Sequence, residues 1–139
     1  DRNNFRDILK LSVGEGQEHF VATNAYSLSQ AKAQPECVPF AIYDGETLVG
    51  FCMYGMDVGD REYWIYRLMI DRAYQSRGYG REALSLLLER LQADSSHHMV
   101  YLSCNPENAW GRALYESVGF RPDGRMVHGE IVYQLVWEP

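Results

Sequence analysis

The chain has 139 residues, 46% hydrophobic and 23% charged, a balance that builds a folded domain and excludes a disordered segment. Its formal charge of −6 argues against a nucleic-acid partner, and it reads either as complementarity to a cationic partner or as plain solubility. No apolar run approaches the roughly 20 residues that span a bilayer and no signal-peptide pattern follows Asp1, so a single cytoplasmic domain over residues 1–139 with no membrane partner is expected.

In chain order, Phe5, Ile8, Leu9 and Val13 recur at helical spacing, with Asn3 or Asn4 as N-cap. Gly14 and Gly16 interrupt the pattern. Val21, Ala25 and Leu28 then mark a second helix that runs to about Ala33 and stops before Pro35. Phe40–Tyr43 and Thr47–Tyr54 flank Asp44-Gly45, which signals a β-hairpin. Both faces of that hairpin are apolar, so layers are expected on each side of the sheet. The acidic stretch Asp57–Glu62 leads into a β-rich run, Tyr63–Ile70. After the loop Gln75-Ser76-Arg77-Gly78-Tyr79-Gly80-Arg81 comes a helix striped by Leu84, Leu87, Leu88 and Leu91. Val100–Cys104 is a further strand, ended by Asn105-Pro106. Trp110, Ala113, Leu114 and Val118 mark the last helix, closed by Gly119, and strands near 120–125 and 127–137 complete the chain. The strand–helix–strand run from 62 to 104 predicts a central β-α-β crossover with one parallel pair. The expected fold is therefore α/β, a mixed, mostly antiparallel sheet with helices on both faces.

Strand, short glycine loop and helix form the arrangement that binds an anion. The first amides of a helix lack intrahelical partners, and the macrodipole adds positive potential there. Gly78 and Gly80 have no side chain to hold a phosphate away from the backbone. Cys37, Cys52 and Cys104 make neither a disulfide set nor a CxxC pair and read as core fillers. His19, His97, His98 and His128 show no ligand spacing, so no metal is expected.

Gln75, Gly78 and Gly80 stand at the defining positions of the Q/R-x-x-G-x-G/A signature of the GNAT N-acetyltransferases. The stretch Asn108-Ala109-Trp110-Gly111-Arg112-Ala113-Leu114-Tyr115-Glu116-Ser117-Val118-Gly119-Phe120 resembles the N-x-x-A-x-x-L-Y-x-x-x-G-F block of the same family, with Gly111 in place of its usual alanine. Within the family the chain is most similar to bacterial diamine (spermine/spermidine) acetyltransferases, through Asn4-Phe5-Arg6, Phe20–Leu28, Tyr63–Ile70 and Gly129-Glu130. One departure is that the helix at Asn3 opens this sequence without the β-strand that starts the family.

The resemblance implies a GNAT fold and transfer of an acetyl group from acetyl-coenzyme A, the cosubstrate, to a primary amine of a polyamine within a ternary complex. It implies no metal and allows a homodimer. It assigns Gln75, Ser76, Arg77, Gly78, Tyr79, Gly80 and Arg81 to the pyrophosphate, with Arg72 as added charge. The backbone of Leu68, Met69 and Ile70 would pair with the pantetheine arm after a strand bulge, and an amide near Met69 would stabilise the thioester oxygen. Asn108 and Tyr115 complete the cofactor set, and Tyr115 would give a proton to the leaving thiolate. The strand positions where several relatives carry a glutamate fall on Trp64 and Tyr66, so the base is Glu62, Glu130 or a water relay, with Glu130 favoured by the diamine match. For a cationic acceptor the sequence offers Glu18, Glu36, Asp57, Asp60, Glu62 and Glu130, beside Tyr26, Tyr54 and Trp64. The segment from Phe20 to Ala33 would wall the groove, with Asn24 either lining it or sitting as a satisfied core amide. Two other readings stay open: an aminoglycoside, amino acid or protein N-terminus as acceptor, and a non-catalytic coenzyme A-binding sensor.

Overall fold

The expected order of elements is the observed one. A computed structural model describes residues 1–138, apart from the side chain of His19; Pro139 lies outside the described residues. Helix α1 spans Phe5–Lys10 and buries Ile8. It is shorter than the apolar spacing suggests, because Leu11 is already extended and Val13 reaches the core from an irregular segment. Asn4 takes the N-cap place, but its side chain caps nothing. A 3₁₀ turn, Glu18–Phe20, precedes α2 at Asn24–Ala33. Val21, expected inside this second helix, lies before it. The start is set at Thr23, whose Oγ1 accepts the Tyr26 amide at 3.1 Å.

Strands β1 (Cys37–Asp44) and β2 (Thr47–Met56) form the hairpin through Gly45, which takes φ +61°. Then follow β3 (Tyr63–Ile70), a 3₁₀ turn at Arg72–Tyr74, α3 (Tyr79–Gln92), β4 (Met99–Cys104), α4 (Ala109–Val118), β5 (Arg121–Val127) and β6 (Glu130–Val136). The last hairpin turns at His128-Gly129, both at positive φ, which suits a two-residue turn. Val127 therefore ends β5 and does not begin the final strand.

The sheet order is β1-β2-β3-β4-β6-β5, antiparallel throughout except for β3 with β4. Alternation along each strand feeds two apolar layers. On one face Leu84, Leu87, Leu88 and Leu91 of α3 and Tyr115 of α4 pack on Leu68, Val100 and Leu102. On the other, Ile8 packs with Phe51, Met53 and Met69, with Leu28 and Ala31 of α2 laid against them. No helix among the described residues is long and apolar enough to cross a membrane.

One irregularity positions everything that follows. Between β2 and β3 the register jumps from Met53↔Arg67 to Tyr54↔Ile65, which leaves Tyr66 as an extra residue. Such a bulge bends its strand and raises the local twist. Strands β3 and β4 pair only at Tyr63↔Val100 and Trp64↔Tyr101, and past that point they diverge.

Candidate active site

The divergence opens a cleft of about 490 Å³ between Ile65–Ile70 on one side and Leu102–Cys104 on the other. Along β3 this leaves a backbone edge without a strand partner. The Asp71 amide bonds the Val49 carbonyl at 2.8 Å, so by two-residue alternation the Met69 amide also faces β2. The groups turned to the cleft are those of Leu68 and Ile70, and the Ile70 carbonyl accepts Gln75 Nε2 at 3.0 Å. Met69 itself lines the cleft but spends its N–H inside the sheet, so of the amides near Met69 those of Leu68 and Ile70 are the ones turned to the cleft.

At the end of this edge Ser76 and Gly78 take φ +63° and +84°, and Gly78 is the N-cap of α3. These turns bring the chain into the N-terminus of α3, where the first amides lack intrahelical partners and favour an anion. Ser76 in the left-handed region is a strain that the sequence does not announce. Gly80, the second residue of α3, also has a packing role. A Cβ on it would stand 3.2 Å from the Trp110 ring and 3.4 Å from Leu114, so its bareness lets α4 approach α3. Arg77 lies over the Tyr74 ring at 5.7 Å, Tyr79 donates to Asp44 Oδ2 at 2.6 Å, and Arg81 is exposed.

Of the expected cofactor set, Leu68, Met69, Ile70, Gln75, Asn108 and Tyr115 line the cleft, while Ser76–Arg81 continue from its end. Asn108 Oδ1 accepts the Gly111 amide at 3.0 Å and so caps α4. That explains the departure at Gly111: a Cβ there would come within 2.6 Å of Asn108 Nδ2 and 3.2 Å of Cys104 Sγ.

Tyr115 is 8% exposed, and its hydroxyl has no hydrogen-bond partner among the described residues. Burial first, then the charges of Cys104 and Glu130, push this phenol well above its usual range. Glu130, also on the cleft, accepts Ser103 Oγ at 2.7 Å. Cys104 is buried between them, its thiol raised to about 11 by desolvation and then by Glu130, which makes it a filler and not a nucleophile. Cys37 and Cys52 are buried as expected.

The other acids do not converge. Glu18 lines the cleft, whereas Glu36, Asp57, Asp60 and Glu62 do not. Asp57 Oδ2 accepts the amides of Gly59 and Asp60, and Asp60 holds the Glu62 amide and Trp64 Nε1, so these carboxylates build the β2–β3 turn. Their field still reaches the cleft wall: burial and then Asp57, Cys37, Glu36 and Asp60 raise Tyr66 to about 12. Trp64 lines the cleft; Tyr54 stacks on Phe40, and Tyr26 is 61% exposed. Asn24 is the satisfied amide, donating to the Ile8 carbonyl at 2.8 Å and tying α2 to α1. No group of three or more metal-ligating side chains gathers among the described residues.

Two residues escaped the sequence reading. Arg67, in the cleft wall, donates to Ser27 Oγ and Gln30 Oε1 at 3.1 Å each and to the Tyr66 carbonyl at 2.7 Å, bolting α2 onto the bulge. Desolvation lowers its pKa while Tyr26, Cys37 and Glu130 oppose the change. A lone arginine inside an apolar strand was its signal. Gln17, on the opposite wall, left no signal beyond a polar residue near two glycines.

A splayed parallel pair, an open strand edge and an amide-rich loop at its end make a holder for an extended arm ending in phosphates. The family model of the Acetyltransferase (GNAT) family matches residues 5–120. The chain belongs to this family. It is an acetyl-coenzyme A-dependent N-acetyltransferase. A spermine/spermidine N(1)-acetyltransferase of Bacillus subtilis is 30% identical over 125 residues, covering 86% of this chain and 82% of the relative. A spermidine N-acetyltransferase from Vibrio cholerae, solved with coenzyme A and spermine, shares the fold at TM-score 0.75 and 18% identity, covering 98% of this chain and 91% of that one. An aminoglycoside acetyltransferase solved with coenzyme A has TM-score 0.77 at 14% identity, with 96% and 89% covered. The GNAT assignment thus extends from two local motifs to the architecture.

Proposed function

We propose that this GNAT enzyme acetylates a primary amine of a polyamine such as spermine or spermidine, acting in the cytoplasm. The observation that carries the reading is the placement of Glu18 and Glu130 as the carboxylates on the cleft, while Arg67 is engaged with α2. An elongated cation pairs with such separated charges, and the acidic β2–β3 turn extends the same field. The names of the Bacillus and Vibrio relatives support it.

In the proposed step the amine nitrogen attacks the thioester carbonyl carbon. The N–C bond forms, the C–S bond breaks, the nitrogen loses a proton and the sulfur gains one. Amides of Leu68 and Ile70 face the place where the oxygen becomes negative. Tyr115, kept protonated by its burial, supplies a hydrogen-bonded proton to the leaving sulfur. Glu130, oriented by Ser103, takes the amine proton directly or through water, and Ser76, Arg77, Gly78 and the first turn of α3 hold the pyrophosphate. Glu62 is set aside as base because it stands in the turn and not on the cleft.

Thiol release from acetyl-coenzyme A against spermine, spermidine, putrescine, lysine, an aminoglycoside and an N-terminal peptide tests the acceptor. The highest kcat/KM should fall on spermine or spermidine. A different preferred amine would discard the polyamine, and silence across the panel with coenzyme A still bound would make the protein a sensor.

A further inference from the structure

Residues 12–23 have regular structure only in the Glu18–Phe20 turn, yet Val13, Gln17, Glu18, Phe20, Val21 and Ala22 form one wall of the cleft, the wall that carries Glu18 and that the proposed function gives to the acceptor. An irregular wall needs external anchors to hold one shape. Two are present, and both lead to the cofactor loop. Ser12 donates its amide to Asp71 Oδ1 at 2.8 Å and accepts the Arg72 amide at 2.7 Å. Gln17 Oε1 accepts Gln75 Nε2 and the Gly14 amide, each at 3.1 Å. The same Gln75 Nε2 holds the Ile70 carbonyl on the open edge of β3. Gly14 sits where a Cβ would come within 3.3 Å of both glutamine side-chain oxygens.

From this geometry we propose that Gln17 and Gln75 form a clasp through which coenzyme A, bound at the loop and along β3, positions the acceptor wall and with it Glu18. The proposal rests on the placement of the coenzyme A site given above. Gln75 is the first residue of the loop, and its side-chain amide is held by Gln17 and the Ile70 carbonyl. Anything that immobilises residues 75–80 immobilises Gln75, and a fixed Gln75 presents its Nε2 to Gln17 at no further entropic cost. Occupancy of the cofactor site therefore favours amine binding, and by linkage the amine tightens coenzyme A by the same factor. Gln17 is a positioning residue: its oxygen is committed to Gln75 and Gly14.

The Gln17→Ala variant tests this with two readouts. With whichever amine the wild type accepts, its KM should rise about tenfold, the size of one lost hydrogen bond, while kcat and the Kd of coenzyme A alone stay within about twofold. By hydrogen exchange, coenzyme A should slow the amides of residues 13–22 in the wild type, and in the variant should protect 68–81 but not 13–22. Equal protection of 13–22 in wild type and Gln17→Ala, or an unchanged amine KM, would overturn the clasp. Absence of coenzyme A protection over 68–81 in the wild type would overturn the cofactor-site reading and the clasp with it, and the exchange arm needs no amine.

Discussion

Tyr115 illustrates how one side chain acquires a chemical role from its surroundings. Its phenol is buried, faces the cleft, has no protein partner among the described residues and is pushed well above the ordinary phenol range. Loss of its hydroxyl should therefore cost chemistry and not stability. Tyr115→Phe is expected to lower kcat by about 10²–10⁴-fold, as for loss of a general acid, with the melting temperature and coenzyme A affinity nearly unchanged. Full turnover in the variant would remove Tyr115 from the reaction. The pH profile carries a linked expectation. The upward shift moves deprotonation of this acid to higher pH, so it stays protonated wherever the enzyme works. The alkylammonium of the acceptor titrates near 10.4, so kcat/KM for the amine should climb with pH between about 7 and 9. A descending limb in that window would show that a different acid is in use.

Among the elements, the β2–β3 pair is the one on which the site depends. Gly50 lies opposite Ile70, and a Cβ there would land on the Met69 carbonyl oxygen and within 2.9 Å of Ile70 Cδ1. Backbone cannot yield as a flexible side chain does, so Gly50→Ala should push β2 and β3 apart. We expect about 1–3 kcal/mol of lost stability in denaturant titration, with acetyl transfer impaired because the edge at Leu68–Ile70 is displaced. A neutral outcome would mean that the two strands have room to part. Helix limits at this scale were only partly legible. The α3 stripe reads correctly because a leucine at each of i, i+3, i+4 and i+7 has one geometric solution. The spacing of Phe5, Ile8, Leu9 and Val13 has two, since a short helix followed by an extended segment covers the same core, and that is what α1 and Leu11–Val13 do.

Across the whole molecule, the cleft exists because a sheet is interrupted, and an interruption is a place where a ligand replaces missing pairing. Coenzyme A binding should stabilise the native state by mass action, about 2.7 kcal/mol at a hundredfold excess over Kd, which for a chain of this size is on the order of 10 °C in melting temperature. Thermal denaturation with rising coenzyme A checks it. A shift independent of concentration would contradict a binding site made only by the folded chain.

The order of elements, the first hairpin and the two family motifs were all present in the sequence, because spacing, caps and turn chemistry act over a few residues; the hairpin turn itself falls one residue later than Asp44-Gly45, at Gly45-Glu46, with Asp44 paired to Thr47. Tyr115 and Glu130 could be named there only through a resemblance. Other features required the fold. The Tyr66 bulge and the parting of β3 from β4 arise from pairing between strands distant in the chain. The turning of Met69 into the sheet, the sorting of Glu18 and Glu130 from the turn-building Asp57 and Asp60, and the reasons for Gly80 and Gly111 each depend on what stands across a gap. So do Arg67 on α2 and Gln17 on Gln75. Local patterns are additive along the chain, whereas a cleft is made by residues that meet only after the sheet has formed.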